Sequence, residues 1–457
     1  MSLASRVLFR SLALGLPGFL ACTPAAAQLL DPSFGDRGQL TEGFAAVTGF
    51  DDDFALAACA TPGGTLTVYG AASSNVRVVT LRLRSDGSLD TTFSGDGKES
   101  FDWPGERMFD RERVGLCMGN GDAVLAQPAL EAGDERIVLV RVRAQTGLPD
   151  PTWGSGGFAV LDLDALSTGL AQRESPLGLN LAADGGVDLT GDVALSDGGT
   201  RGFAVRIDPT GTVRAAAIYR QDLYSRFAFA AAAEAPDGSL WLSGRAVRTS
   251  NALPTHLHLR VDPQTLALVQ ALPGSALLHR VGRGRMVAPG VFASVAHRRE
   301  PGAADVPVLL LQRETGTRVL ELPTLLPVMG QPGKQLLHDQ DGDVIPLPDG
   351  SLLVTGTAGL DNDLGGKALY QIRVLLAAGS EPDRVDTRFG SGGIWQFSRL
   401  QPGCSQPNDQ SMRRTTLWNG RVTVVGAART QNCINSQDHD YWVLRMRIDA
   451  LHIDGFE

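Results

Sequence analysis

Carboxylates gather in two short stretches that would suit a hard cation. Asp51, Asp52 and Asp53 are consecutive, and Asp339, Asp341 and Asp343 alternate within "HDQDGD". Oxygens converging from several segments bind calcium-like ions, so these six are the metal candidates. Asp110, Glu112, Glu174 and Asp409 fall at comparable places, each just ahead of an apolar alternating run. The stretch from Asp339 is not an EF-hand, because position 12 is Gly350 rather than Glu. The competing reading is solvated turn residues, and Arg111, Arg113 and Arg226 near equivalent places weaken the idea of an acidic ring. His256 and His258 alternate in "HLHLRV" and share one side of a strand. That spacing suits zinc, but no third ligand is evident nearby, and packing is the plainer reading. No nucleophile elbow, phosphate loop, zinc-protease helix or dinucleotide fingerprint occurs in the sequence. No catalytic residue and no cofactor is therefore expected, calcium being the one ion that the acidic candidates allow.

The elements that would position these residues come from a repeat. "DPSFGDRG" begins at Asp31, "DTTFSGDG" at Asp90, "DPTWGSGG" at Asp150 and "DTRFGSGG" at Asp386. Asp31 to Asp90 is 59 residues, Asp90 to Asp150 is 60, and Asp150 to Asp386 is 236, four further periods. A second marker, a turn leading into a short alternating run, recurs at Gly64, Gly121, Gly186, Gly238, Gly290, Gly350 and Gly420. Both markers give one period, so the chain holds seven repeat units.

Each unit reads as four strands. In the first, "FALAACATP" enters a Gly63-Gly64 turn, "TLTVYG" returns, "VRVVTLRLR" follows, and "KESFDW" comes after the eight-residue phrase. Asp-Gly and Gly-Gly between alternating runs are hairpin signals. The expected fold is all-β, a seven-bladed β-propeller of four-stranded antiparallel blades. The chain stops after "YWVLRMRIDALHIDGFE", a third strand, and the fourth is expected from the N-terminal side, near Gln39 to Phe44. That strand, within residues 28–48, would close the ring and remove an exposed sheet edge.

The phrase itself reads as a structural staple. Its Asp (Asp31, Asp90, Asp150, Asp386) accepts N–H groups of its own turn. Its aromatic ring (Phe34, Phe93, Trp153, Phe389) fills space between sheets. Its last Gly (Gly38, Gly97, Gly157, Gly393) allows a turn closed to other residues.

Residues 1–27 read as a secretion signal, with Arg6 and Arg10, a short apolar run and Ala25-Ala26-Ala27 before Gln28. Residues 28–457 then form one propeller domain. An alternative is lipid attachment at Cys22 in "FLAC". No segment is long and apolar enough to span a membrane. Net charge is -9 over the whole chain, without a basic patch, which argues against nucleic acid. Beyond the signal lie Cys59, Cys117, Cys404 and Cys433. Cys59 and Cys117 hold nearly the same place in neighbouring units, and Cys404 and Cys433 flank one hairpin. The expected pairs are 59–117 and 404–433.

"SDGSLDTTFSGDGK" and "PDGSLLVTG" resemble the delta-60 repeat family of exported bacterial proteins. The resemblance covers most of residues 29–457 and is carried by units one, two, six and seven. Units three to five lack the phrase. It implies export and a propeller-like fold, and brings no catalytic residues. The expected function is a secreted or periplasmic, non-enzymatic, monomeric scaffold that binds a glycan, a peptide or an envelope protein. The alternative is a hydrolase or lyase acting on sugars.

Overall fold

Strand pairing sorts the chain into antiparallel arrays that follow the repeat. The computed structural model describes residues 29–43, 53–72, 77–107, 112–131, 134–167, 171–220, 223–272, 278–298, 306–323, 336–338, 342–360, 367–377, 381–397, 410–429 and 439–447. Unit one is the simplest case: Phe54–Ala60, Leu66–Ala72, Arg77–Leu83 and Lys98–Asp102 pair in chain order as a four-stranded sheet. Short alternating runs joined by tight turns favour pairing between strands adjacent in sequence.

Unit two repeats this order with Val114–Cys117, Ala123–Glu131, Asp134–Val142 and Phe158–Leu161, while Glu106–Arg107 pairs with the same second strand. Unit six has its first and fourth strands broken in two, giving six strands. Unit five, Leu278–Ala288 to Gly316–Glu321, is again four-stranded.

The expected count of separate sheets is corrected. Among the described residues six hydrogen-bonded sheets form rather than seven, because units three and four share one of eight strands. Its two antiparallel halves, Ala171–Leu181 to Val213–Ile218 and Tyr224–Glu234 to Leu268–Leu272, are joined by a single parallel pair, Thr200 with Arg226. The third strand of one unit there runs beside the first strand of the next, close enough for one ladder contact. One helical turn, Asp164–Ser167, follows unit two.

Unit seven contains Gln410–Trp418, Arg421–Arg429 and His439–Arg447. Its fourth strand is Gln39–Glu42, paired antiparallel with the last strand so that Gln39 faces Leu444 and Glu42 faces Tyr441. The pairing expected between the two ends of the chain is thus present.

The core lies between neighbouring arrays. Leu56, Tyr69 and Val78 of unit one pack with Leu125, Val138 and Val140 of unit two. Val124 and Leu139 of unit two meet Leu189 and Phe203 of unit three. The series returns on itself, since Ala55, Val68 and Leu81 of unit one share a cluster with Trp418, Val425 and Tyr441 of unit seven. Apolar area removed from water at every junction is what holds the units in a ring.

Candidate functional site

The repeated phrase is built the same way at all four places. The phrase Asp donates its backbone N–H to the carbonyl of a third-strand arginine: Asp31 to Arg445 (2.9 Å), Asp90 to Arg82 (2.8 Å), Asp150 to Arg141 (2.8 Å) and Asp386 to Arg373 (2.9 Å). Its side chain accepts from the residue two further on, as from Ser33 N (3.1 Å) and Oγ (2.6 Å) at Asp31. The last glycine donates to the aromatic residue's carbonyl at 2.7–2.9 Å and has φ of 94°, 89°, 101° and 96° in the four copies. Such values exclude most side chains.

The aromatic ring reaches into the next unit. A Cβ on Gly87 would lie 2.9 Å from the Phe34 ring, one on Gly147 2.6 Å from Phe93, and one on Gly211 2.9 Å from Trp153. The partner glycine in each case sits in the turn between the third and fourth strands of the following unit. The arginines that close this arrangement are missing from the sequence motif. Arg445 stacks over Phe34 at 4.6 Å and Arg82 over Phe93 at 4.4 Å. The phrase therefore joins units as well as strands.

A second arrangement sits on the ring axis. First strands of all seven repeat units line one cavity of about 240 Å³, through Ala57, Gly115, Leu179, Ala230, Arg283, Asp343 and Arg414 among others. The strands carry register shifts at matching heights, between Ala55 and Ala57, Pro176 and Gly178, Phe229 and Ala231, Val281 and Gly284, and Met412 and Arg414. Bulges of this kind turn a strand and re-aim its side chains. Small residues are needed here because first strands approach closely: a Cβ on Gly115 would lie 2.6 Å from Leu56 O, and one on Gly178 2.5 Å from Ala230 O.

Guanidiniums brace this cavity. Arg414 of unit seven donates to Gly115 O of unit two at 2.8 Å, and Arg283 of unit five donates to Arg113 O at 3.3 Å. Arg285 of unit five pairs with Asp343 of unit six at 2.7 Å, and Asp343 also accepts Thr415 N of unit seven at 3.0 Å. Asp343 is 3% exposed, so it is a buried link between units rather than a solvated turn residue. Asp53, 2% exposed, is buried as well. Asp51, Asp52, Asp339 and Asp341 lie outside the described residues, as do Asp110 and Asp409.

His256 and His258 pack inside the junction of units four and five. His256 Nε2 lies 2.9 Å from Ser243 Oγ. His258 meets Trp241 edge-on at 5.2 Å and Phe292 at 5.8 Å. Burial pushes His256 down to about 4, and burial followed by the neighbouring His256 holds His258 well below the ordinary histidine range. Both are neutral packing residues at pH 7. Among the described residues, the one group of three side chains able to share a metal is Asp162, Asp164 and Glu174. Of these only Glu174 stands out in the sequence.

Cys59 and Cys117 form a disulfide with Cα atoms 5.3 Å apart, tying the first strands of units one and two. Cys404 and Cys433 lie outside the described residues, as do Cys22 and the signal segment. No described helix is long and apolar enough to cross a membrane.

Polar clefts open over the phrase-bearing face. One of about 640 Å³ between units one and two is lined by Arg82, Asn120, Asp122, Arg141 and Gln145. Another of about 360 Å³ between units seven and one is lined by Asp31, Asp86, Arg421 and Arg445. Fixed pairs of donors and acceptors in an open cleft suit a polyhydroxyl or peptide ligand.

No protein-family model matches the chain, and no curated protein matches it in sequence. Among solved structures, polysaccharide lyase Uly1 is similar at 9% identity over 89% of this chain and 92% of that chain, with a TM-score of 0.43. Drosophila Semaphorin 1b, extracellular domains 1-2, is similar at 10% identity over 89% and 87%, with a TM-score of 0.44. The Dos1 propeller is similar at 9% identity over 92% and 96%, with a TM-score of 0.41. The assignment of this chain as an all-β propeller with four-stranded antiparallel blades rests on its own strand pairing.

Proposed function

We propose that the protein is an exported, non-enzymatic β-propeller of the delta-60 repeat type that serves as a binding scaffold at or outside the cell envelope. The eight-stranded sheet is read as two blades, which gives seven in the ring and matches the seven units that line the axis. One observation carries the binding reading: the axial cavity is crossed by arginine braces and encloses only about 240 Å³. Small-molecule sites begin at about 300 Å³. Guanidiniums stay charged at neutral pH and neither give nor take a proton, so they hold shape and charge rather than perform acid–base steps. The faces then become the contact surfaces, and the cleft over units one and two is the first candidate, for a glycan or a peptide of the envelope.

Residues 28–457 are taken as the mature, monomeric chain, with lipid attachment at Cys22 as the alternative form. The mass of the exported protein distinguishes the two. The test of function is a screen of neutral and acidic polysaccharides and envelope peptides against the purified mature chain. Binding that weakens in Asn120→Ala and Gln145→Ala, both exposed in the cleft, supports the scaffold. Release of shortened or unsaturated sugar products would favour the hydrolase or lyase alternative and sink this one.

A further inference from the structure

Five carboxylates gather where unit two hands over to unit three, and three of them contact one guanidinium. Asp134, Glu135 and Arg136 begin the third strand of unit two, Asp162 and Asp164 follow its fourth, and Glu174 lies on the first strand of unit three. One oxygen each of Asp162, Asp164 and Glu174 lie within 4.8 Å of one another. Arg136 approaches Asp162 at 3.2 Å, Asp134 at 3.3 Å and Asp164 at 3.5 Å. Tight charge-assisted bonds run to about 2.7–2.9 Å, so this single cation is spread thinly over its partners. Glu135 is also drawn in, its Oε1 accepting Glu174 N at 3.0 Å.

Glu174 is the unusual member. It is 1% exposed, and its Oε1 accepts Leu163 N at 2.8 Å. Its Oε2 is buried and has no hydrogen-bond partner. A carboxylate oxygen sealed from water without a partner is costly and needs either a proton or a cation. Burial, reinforced by the charges of Asp162 and Asp164, pushes the Glu174 carboxyl up to about 8. Leu163, between the two aspartates, is itself buried and fixes the turn that carries them.

We propose that Asp162, Asp164 and Glu174 form a site for one divalent cation of the calcium type, with the buried Glu174 oxygen as its innermost ligand. Carboxylate oxygens from two segments are the donor set that hard cations take. The ion would satisfy the orphan oxygen, offset the excess negative charge and clamp the connection between units two and three. This site is separate from the acidic stretches around Asp53 and Asp343.

The test uses the purified chain of residues 28–457 with calcium chloride and magnesium chloride in titration calorimetry. One calcium per chain is expected. Glu174→Gln should weaken calcium binding at least tenfold. Asp162→Asn, at a half-exposed position, should weaken it several-fold with an unchanged metal-free circular dichroism spectrum. Absence of calcium heat in the wild-type chain overturns the proposal. So does calcium binding as strong in both variants as in the wild-type chain.

Discussion

Arg445 donates a hydrogen bond from Nε to Asp31 at 3.0 Å across 414 residues of sequence. Both side chains are buried, and Arg421 adds a second guanidinium 3.5 Å from the same carboxylate. Burial works against the charged form of Asp31, but the Ser33 hydrogen bonds and then Arg445 and Arg421 overcome it and hold the carboxyl below its usual range. Breaking a buried pair strands the remaining charge, so Asp31→Asn should cost about 3 kcal/mol in urea unfolding at pH 7. A lowered folded pKa gives stability that is complete above the unfolded value and lost as pH falls through the folded one. The difference between wild type and Asp31→Asn should therefore shrink below about pH 4. An equal difference at pH 7 and pH 3 would contradict this.

Gly87→Ala should destabilise more than an ordinary surface change. Its φ is 86°, and the added methyl would meet the Phe34 ring and the backbone N of Gly35, both of which cross from the last unit into the first. A loss of about 2 kcal/mol is expected from positive-φ strain and the clash together. Gly95→Ala also has positive φ, but nothing lies within 4 Å of it. It should cost about 1 kcal/mol, and equal losses would show that the ring contact contributes nothing.

His258→Phe should make the protein more acid-resistant. The ring keeps its place between Trp241 and Phe292, and neither histidine nitrogen has a hydrogen bond to lose. A histidine with a depressed folded pKa is stabilising above its unfolded value of about 6.5, and that stability is lost as pH falls towards the folded value. At pH 5 the wild-type residue costs about 2 kcal/mol that Phe avoids. Melting temperatures at pH 7.5 and pH 5 report the effect, and parallel loss in both proteins would refute it.

The sequence carries the repeat openly because each element of the phrase depends on residue type at a fixed offset. Asp31, Phe34 and Gly38 act within a single turn, so their pattern is local. Arg445 is not legible in the same way, since its partners lie in the first repeat phrase and it resembles any other strand arginine. The braces Arg283 and Arg414 are hidden for the same reason: a bulge aims them at the axis, and bulges leave no clear signature in composition. The acidic candidates look solvated in sequence because charge runs usually are, yet Asp343 is paired and buried. The shared sheet of units three and four depends on one contact between Thr200 and Arg226, which no pattern announces.

The Cys59–Cys117 bond spans 58 residues and ties the first strands of two units. Constraining a loop of that length in the unfolded chain is worth about 4 kcal/mol on the entropic model. Reduction, or the double variant Cys59→Ala with Cys117→Ala, should lower the unfolding midpoint accordingly. Digestion without reductant should also yield a linked 404–433 peptide pair, and alkylation of all four thiols in native protein would defeat both assignments.

The most direct test of the ring is deletion of residues 28–48 from the mature chain. This removes Gln39–Glu42, the strand hydrogen-bonded to Tyr441–Leu444, together with Asp31 and the Phe34 ring wedged against Trp418. The last array would be left with an open edge and an unfilled junction. The prediction is a protein that is insoluble or melts far below the intact chain. A truncated chain that melts with the intact one would contradict closure of the ring by its two ends.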